Sequence, residues 1–308
     1  MKKNLFTLTA LLSLTALTLV SCTKLNGTLF GKFTVGVNSD GSPYQVYFSQ
    51  GNLQYQPSTQ TWRFATNQYD YVGDSRIGNV YEDSVKCDNS LISATYTGWI
   101  DLFGWGTGDN PTCVSTNTAD YNTFVDWGKH AISNGGEQAN MWRTLTIDEW
   151  RYLLFERDSA FYKYGIGIVN GVRGLIILSD NWKLPKDRTF VPGIPFSDYS
   201  VDENWSQNTY TTTEWVGMEL NGAVFLPAAG CRSGTEVAGL DTVPPQTWRR
   251  DTPRIGYYSS STSTPPGWHD GCTYTLFFVS NLLRADYDHD VANNYGNSVR
   301  LVRPCVEK

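Results

Sequence analysis

The longest apolar run in the chain covers residues 5–20 and follows Lys2 and Lys3. A basic start leading into an apolar stretch of this length fits an export signal, and the run is short for a membrane-spanning helix. Nothing later is long and apolar enough to span. Residues 23–43 are polar, contain Gly and Ser, and alternate weakly over 33–37. From Tyr44 the texture changes to short runs rich in β-branched and aromatic residues. These predict strands over 45–48, 52–55 and 61–64, with Pro57-Ser58-Thr59 as punctuation. Residues 69–122 keep no period and are rich in Gly and Asn. Within them Trp99-Ile100-Asp101-Leu102-Phe103-Gly104-Trp105-Gly106 reads as aromatics plugging a core beneath irregular backbone.

Two helices are signalled by their starts. Thr146 and Glu149 form a capping box, after which Ile147, Trp150, Leu153 and Leu154 fall on one face. Thr211 and Glu214 repeat the device ahead of Trp215 and Met218, and Asn221-Gly222 ends that helix. A shorter helix is predicted over 124–132. Between the two main helices, Asn170-Gly171 separates runs 166–169 and 172–178, as a type I′ hairpin turn requires. Further strands are predicted over 223–226, 257–261, 274–279 and 298–302, and the Pro-rich stretch 234–255 reads as an inserted loop. Strands, then helices, then strands predict one α+β domain over 44–304, with twisted antiparallel sheets, two main helices and long loops.

Charge and cysteines place this domain. The net charge of −6 comes without a Lys/Arg cluster, so a nucleic-acid partner is not expected. Aromatics reach 14% while charged residues are only 18%, enough to fill a core and leave aromatics for the surface. Leu19-Val20-Ser21-Cys22 resembles a bacterial lipobox. Residues 1–21 are therefore expected to be a lipoprotein signal peptide, Cys22 the lipidated residue, and 22–43 a tether. The expected place is the cell envelope, anchored at the outer membrane or cell surface. Thr23-Lys24-Leu25-Asn26 carries no acidic run, which leaves the membrane face open. Beyond Cys22 the cysteines are Cys87, Cys113, Cys231, Cys272 and Cys305, an odd number with no CxxC spacing. Cys87–Cys113 is the candidate disulfide, since both lie in the loop-rich region.

Four segments carry a resemblance. They are Met141-Trp142-Arg143-Thr144-Leu145-Thr146-Ile147-Asp148-Glu149-Trp150, Phe225-Leu226-Pro227-Ala228-Ala229-Gly230-Cys231-Arg232, Gly256-Tyr257-Tyr258-Ser259-Ser260-Ser261 and Ser298-Val299-Arg300-Leu301-Val302-Arg303. In this order they resemble C-type-lectin-fold proteins, in the branch of formylglycine-generating enzymes and the Fibrobacter/Bacteroidetes major paralogous domains. The chain also resembles the variable proteins of diversity-generating retroelements, which share that architecture. The resemblance implies a C-type-lectin-like domain with a variable ligand-binding region at 255–297. In such proteins randomised adenines turn an AAC or AAT codon into Asn, Asp, His or Tyr by its first position. Asp286, Tyr287, Asp288, His289, Asp290, Asn293, Asn294 and Tyr295 all belong to that set. Val291 and Ala292 join it if the second position changes. His269, Asp270, Gly271 and Cys272 fit the same code in an earlier cluster, whereas Trp268 does not. Asn297 stands where relatives carry an apolar aromatic.

Chemistry narrows the function. Asp286, Asp288 and Asp290 alternate like the opening of an EF-hand loop, but Val291 and Asn297 stand where that loop needs Gly and Glu. The Glu-Pro-Asn and Trp-Asn-Asp motifs of calcium-dependent sugar binding are missing. His130, His269 and His289 come with no nucleophile motif. Formylglycine-generating enzymes use two nearby late cysteines, and Cys272 and Cys305 are far apart, so that activity is not carried over. No catalytic residue, metal or cofactor is expected. Tyr and Trp supply contact area, and Asn and Asp adaptable hydrogen bonds. On that ground the expected ligand-binding residues are Trp268, His269, Asp270, Tyr274, Asp286, Tyr287, Asp288, His289, Asp290, Asn293, Asn294 and Tyr295, facing a protein or glycan ligand. The alternative is a structural fimbria- or matrix-associated subunit using 234–255. A formylglycine-type enzyme ranks below both.

Overall fold

The structure is a computed structural model that describes residues 25–71, 91–195, 202–238 and 255–305. The expected export signal, Cys22 and Cys87, with its expected bond to Cys113, lie outside the described residues, as does most of 234–255. Cys231, Cys272 and Cys305 carry free thiols.

Both predicted capping boxes form. Thr146 accepts from the Glu149 N–H and starts helix α1, Ile147–Arg151. Thr211 and Glu214 do the same for α2, Thr212–Leu220, which buries Trp215 and Met218. The helices are short, however, at five and nine residues. α1 passes into a π turn, Tyr152–Glu156, and ends at Arg157. There the guanidinium turns inward to the Asp180 carboxylate at 3.0 Å and the Leu178 carbonyl at 2.8 Å. The predicted 124–132 helix is one 3₁₀ turn, Trp127–Lys129, capped by Asp126.

Strands fill the space that helices were expected to take, seventeen of them among the described residues. Many have two to four residues, too few to show a period in sequence: Leu102–Phe103, Cys231–Ser233, Leu282–Arg284, Asp290–Ala292 and Tyr295–Ser298. The expected α+β C-type-lectin-like architecture with two main helices is thus corrected to a sheet-dominated fold of several sheets.

The sheet that positions the site is built on a long antiparallel hairpin, Gly256–Ser263 with Cys272–Val279. Leu282–Arg284 and Asp290–Ala292 pair with its second strand. Tyr295–Ser298 runs parallel to its first strand and carries the sheet on to Cys231–Ser233 and Glu236–Ala238. A four-stranded sheet contains the predicted hairpin Tyr164–Val169 and Val172–Leu178. Asn170 and Gly171 sit there at φ 50 and 80, both positive as the turn demands. Phe33–Val37, Pro43–Phe48 and Val302–Pro304 make a third sheet.

Two boundaries shift. The expected tether is folded from Leu25 onward: Leu29, Phe33 and Val35 are buried, and the Leu29 N–H bonds the Phe48 carbonyl. The predicted 298–302 strand also breaks, with one ladder ending at Ser298 and another starting at Val302. Val299, Arg300 and Leu301 between them are all buried. They instead follow residues 49–53, through the Leu53 N–H to the Val299 carbonyl and the Ser49 N–H to the Leu301 carbonyl. The aromatic-glycine run is core, with Ile100, Leu102, Phe103 and Trp105 buried.

Candidate functional site

Strand pairing brings the two C-terminal loops together. Cys272, Thr273 and Tyr274 face Ala292, Val291 and Asp290, and the Asn293 N–H bonds the Gly271 carbonyl at 2.8 Å. The first loop is closed on itself. Asp270 accepts from the Gly267 N–H at 2.8 Å, and the Thr264 hydroxyl faces the carbonyls of His269 and Cys272. Gly267 and Gly271 have φ of 80 and 76, where a Cβ is strained. This tight turn holds Trp268 out at 67% exposure. His269 reaches across to the second loop, its Nδ1 2.9 Å from the Asp290 carboxylate. Burial raises the Cys272 thiol pKa, and the adjoining Asp290 carboxylate raises it further.

In the second loop Asp286 accepts from the Asp288 N–H at 3.1 Å and lies 3.4 Å from Arg284. Tyr287 stands edge-on to Tyr274 at 4.8 Å and donates its hydroxyl to Asp148, in the first turn of α1, at 2.8 Å. Burial and then that carboxylate push its phenol up to about 12. Asp288 is exposed. His289 lies between Phe277, at 4.5 Å, and Tyr257, at 6.0 Å, and its Nε2 is buried without a partner. Tyr295, in turn, lies near Tyr257, whose phenol is pushed to about 12 by burial first and by Cys231 and Tyr295 after it.

The twelve predicted residues therefore separate by depth. Trp268, His269, Asp270, Tyr287, Asp288 and Tyr295 are on the surface, and Asp286, His289 and Asp290 are half-buried. Tyr274, Asn293 and Asn294 are buried at 4%, 4% and 6% exposure, which corrects their expected place on the contact face. They support it from below. Sequence reading missed Asp148, Tyr257 and Phe277. The last two are a cross-strand pair with rings 5.0 Å apart, flagged only as aromatics in adjacent strands. Asp148, 139 positions from Tyr287, gives no sequence signal.

The three histidines do not converge on one another. His130 stacks on Trp62 and faces Asp109 at 3.2 Å. Among the described residues no group of three or more His, Cys, Asp or Glu side chains is arranged to hold a metal ion. Nor is any helix among them long and apolar enough to cross a membrane.

His289 predicts a pH effect. Its folded pKa lies below the 6.5 of an unfolded chain because burial disfavours the imidazolium. Asp286 and Asp290 oppose that shift and Arg284 adds to it. Above 6.5 both states are neutral and the full stability is present. As pH falls below 6.5 the unfolded chain binds the proton first, so stability is lost until the folded pKa is reached. Melting temperature measured from pH 7 to 5 should fall more steeply in the native protein than in His289→Phe, which keeps the ring stacking. Equal slopes would contradict this.

No protein-family model matches the chain, and neither a curated protein nor a solved structure does.

Proposed function

We propose that the protein is a lipid-anchored cell-envelope receptor or adhesin that binds a protein or glycan ligand through its two C-terminal loops. The observation that carries this reading is the placement of Trp268, Tyr287 and Tyr295, which are 67%, 42% and 36% exposed while their surroundings are locked. Tyr287 rests on Tyr274 and is pinned by Asp148, and the two loops are clamped by His269 and Asp290. Rigid aromatics amid adaptable Asp, Asn and His side chains give contact area at low entropy cost. Lys2, Lys3, the apolar run and Cys22 support the lipid anchor.

Diversification by a retroelement is part of the proposal and rests on the residue set at 286–295. Substitution at exposed Tyr287, Asp288 and Tyr295 costs the fold little. Asn293 and Asn294 are packed, and randomising their codons carries a stability cost. A near-copy of the 3′ end of the gene beside a reverse transcriptase, differing only at adenines, is the expected finding. Codons at 286–295 that cannot derive from AAC or AAT rule diversification out and leave binding standing.

The binding reading is tested on glycan and protein arrays, using the chain from residue 22 with Cys22→Ser. A reproducible ligand is expected, and the triple variant W268A/Y287A/Y295A should lose at least about 100-fold in affinity, since buried aromatic anchors dominate binding energy. Unchanged affinity would move the ligand elsewhere. The second reading, a structural surface subunit, has one observation in its favour. Phe155, Phe161 and Tyr162 are exposed and cluster around Tyr164 on another part of the surface.

A further inference from the structure

Away from the two C-terminal loops, one short stretch holds three aromatic rings in solvent. Phe155, Phe161 and Tyr162 are 42%, 57% and 68% exposed. Single exposed apolar side chains need no account, but a contiguous group does. These rings are not loose. Phe155 belongs to the π turn Tyr152–Glu156, Ser159 reverses the chain at φ 55, and a 3₁₀ turn, Ala160–Lys163, follows. The Tyr162 N–H closes that turn on the Ser159 carbonyl at 3.0 Å. Beneath it Ala160 is buried, and Arg157 is held by Asp180 and the Leu178 carbonyl.

Tyr164, packed against the main core, is the hub of the group. Phe155 and Phe161 stand edge-on to it at 6.2 and 6.1 Å, and Tyr162 stands edge-on to Phe161 at 5.5 Å. Phe161 also lies over Gly193, whose φ is 80, and a Cβ there would come within 2.9 Å of the ring. A glycine in the left-handed region thus leaves room for a ring that stays out in water. Val191, two residues from that glycine, adds a further 45%-exposed apolar side chain.

Area, charge and shape favour one kind of partner. Aromatic side chains present about 150–250 Å² each, so at these exposures the group offers on the order of 400 Å². A stable protein interface takes about 800 Å² from each partner, which is more than this patch gives to a second copy. Within 151–164, Arg151 pairs with Glu156 at 3.0 Å and Arg157 turns inward to Asp180, which leaves Asp158 and Lys163, one of each sign. The patch is therefore neutral on a chain of net charge −6. All three rings project from the eight residues 155–162 and stand at steep angles to one another, so they form neither a flat platform nor a groove. A bilayer interface needs neither. It takes protruding aromatic rings one by one, with a phenol hydroxyl left among the headgroups and a lysine reaching back to water.

We propose that this patch docks the domain on a phospholipid leaflet, with Phe155, Phe161 and Tyr162 entering the headgroup region. The inference rests on the lipid-anchor part of the proposed function and deepens it. An anchored chain needs only a weak second contact, because stable membrane attachment takes two signals. The second contact fixes which side of the domain faces the bilayer. Trp268, Tyr287 and Tyr295 belong to other elements and stay free for the ligand.

Flotation with large unilamellar vesicles of phosphatidylcholine and phosphatidylethanolamine tests this, on the chain from residue 22 with Cys22→Ser, which has no acyl group. The chain should float with the vesicles, and F161A/Y162A should lower its partition coefficient at least about tenfold, as the loss of two inserted rings implies. Both side chains are exposed, so the melting temperature of that variant should not change. F161W/Y162W keeps the rings and should bind at least as tightly as the native chain. Raising sodium chloride from about 0.05 to about 0.5 M should change partitioning less than about twofold, because the contact is apolar. W268A/Y287A/Y295A should float as the native chain does. The inference is overturned if nothing floats, if both double variants float like the native chain, or if flotation needs phosphatidylglycerol and is lost in salt. Sedimentation velocity showing a dimer that F161A/Y162A dissociates would overturn it too, by giving the patch to a second copy. Mass spectrometry of the native chain reads acylation of Cys22 separately. An unacylated chain that floats through Phe161 and Tyr162 removes the anchor and leaves the patch. An acylated chain whose Cys22→Ser form does not float removes the patch and leaves the anchor.

Discussion

Replacing Arg300 by Met is expected to destabilise the protein by about 3–5 kcal/mol, the range for removing one partner from a buried charged network. For a chain of this size that lowers the melting temperature by roughly 6–20 °C. Arg300 is fully buried, its hydrogen bonds go to an amide and three carbonyls, and the Glu219 carboxylate favours its charge from further off. Its Nε donates to Asn52 Oδ1 at 3.1 Å, Nη1 to the Ser49 carbonyl at 3.1 Å, and Nη2 to the carbonyls of Phe225 at 2.7 Å and Gln68 at 3.4 Å. Burial depresses its pKa to about 10, which still leaves it charged at neutral pH. Methionine fills much of the volume but takes its donor from three carbonyls in separate segments, and leaves Asn52 Oδ1 with only the Tyr258 hydroxyl at 3.3 Å. Arg300→Lys keeps the charge and should recover only part of the loss, because its three donors sit on one nitrogen and cannot span acceptors spaced for Nε, Nη1 and Nη2. Thermal melts followed by near-ultraviolet circular dichroism measure both variants. A shift under about 2 °C for Arg300→Met would show that the carbonyls find other donors.

The same device recurs and explains how much irregular backbone this fold tolerates. Arg232, 1% exposed, donates to the carbonyls of Leu102, Gly234 and Cys113, and Arg157, 3% exposed, to Leu178. A buried loop carries carbonyls that no ladder satisfies, and a guanidinium with five donors serves several at once. This use of arginine hid part of the fold from sequence reading. Ser298-Val299-Arg300-Leu301-Val302 alternates like a strand with Arg300 facing water, whereas the carbonyl cage draws Arg300 inward and breaks the ladder. Features fixed within four residues were legible: the two capping boxes and the Asn170-Gly171 turn. Strands of two or three residues were not, since a period needs more positions than they have. The candidate site was legible as composition, in its run of Tyr, His, Asp and Asn. Its depth was not. Asn293 and Tyr287 belong to the same residue set, and only tertiary packing decides that one is buried while the other meets solvent. The partners that fix the face, Asp148 and Tyr257, come from other elements, so no local pattern marks them.

Glu149→Ala should act on both stability and the binding face. Glu149 closes the capping box of α1, accepting from the Thr146 N–H at 2.8 Å. The same carboxylate takes two hydrogen bonds from Arg143, at 2.7 and 2.6 Å. Arg143 also donates to the Tyr44 hydroxyl and is bridged through its backbone to Val302. One side chain thus ties the helix start to the strand that closes the chain. The pair is partly exposed, at 28% and 15%, so the full cost of breaking a buried pair is discounted, to about 2–4 kcal/mol. Loss of the cap alone, in Thr146→Ala, should cost about 1 kcal/mol. Glu149→Gln retains a capping acceptor but gives up the charged fork, and should fall between the two. Arg143→Ala with Glu149→Ala should cost less than the sum of the single changes, because both remove one interaction. The functional consequence follows from Asp148, which sits in this first turn and pins the Tyr287 hydroxyl. Once the turn frays, Tyr287 loses its orientation. Ligand affinity in Glu149→Ala should therefore drop even at temperatures where the rest of the protein stays folded. Urea midpoints measured beside affinity for the array ligand decide this. Normal affinity in a destabilised Glu149→Ala protein would show that Tyr287 is held by Tyr274 alone.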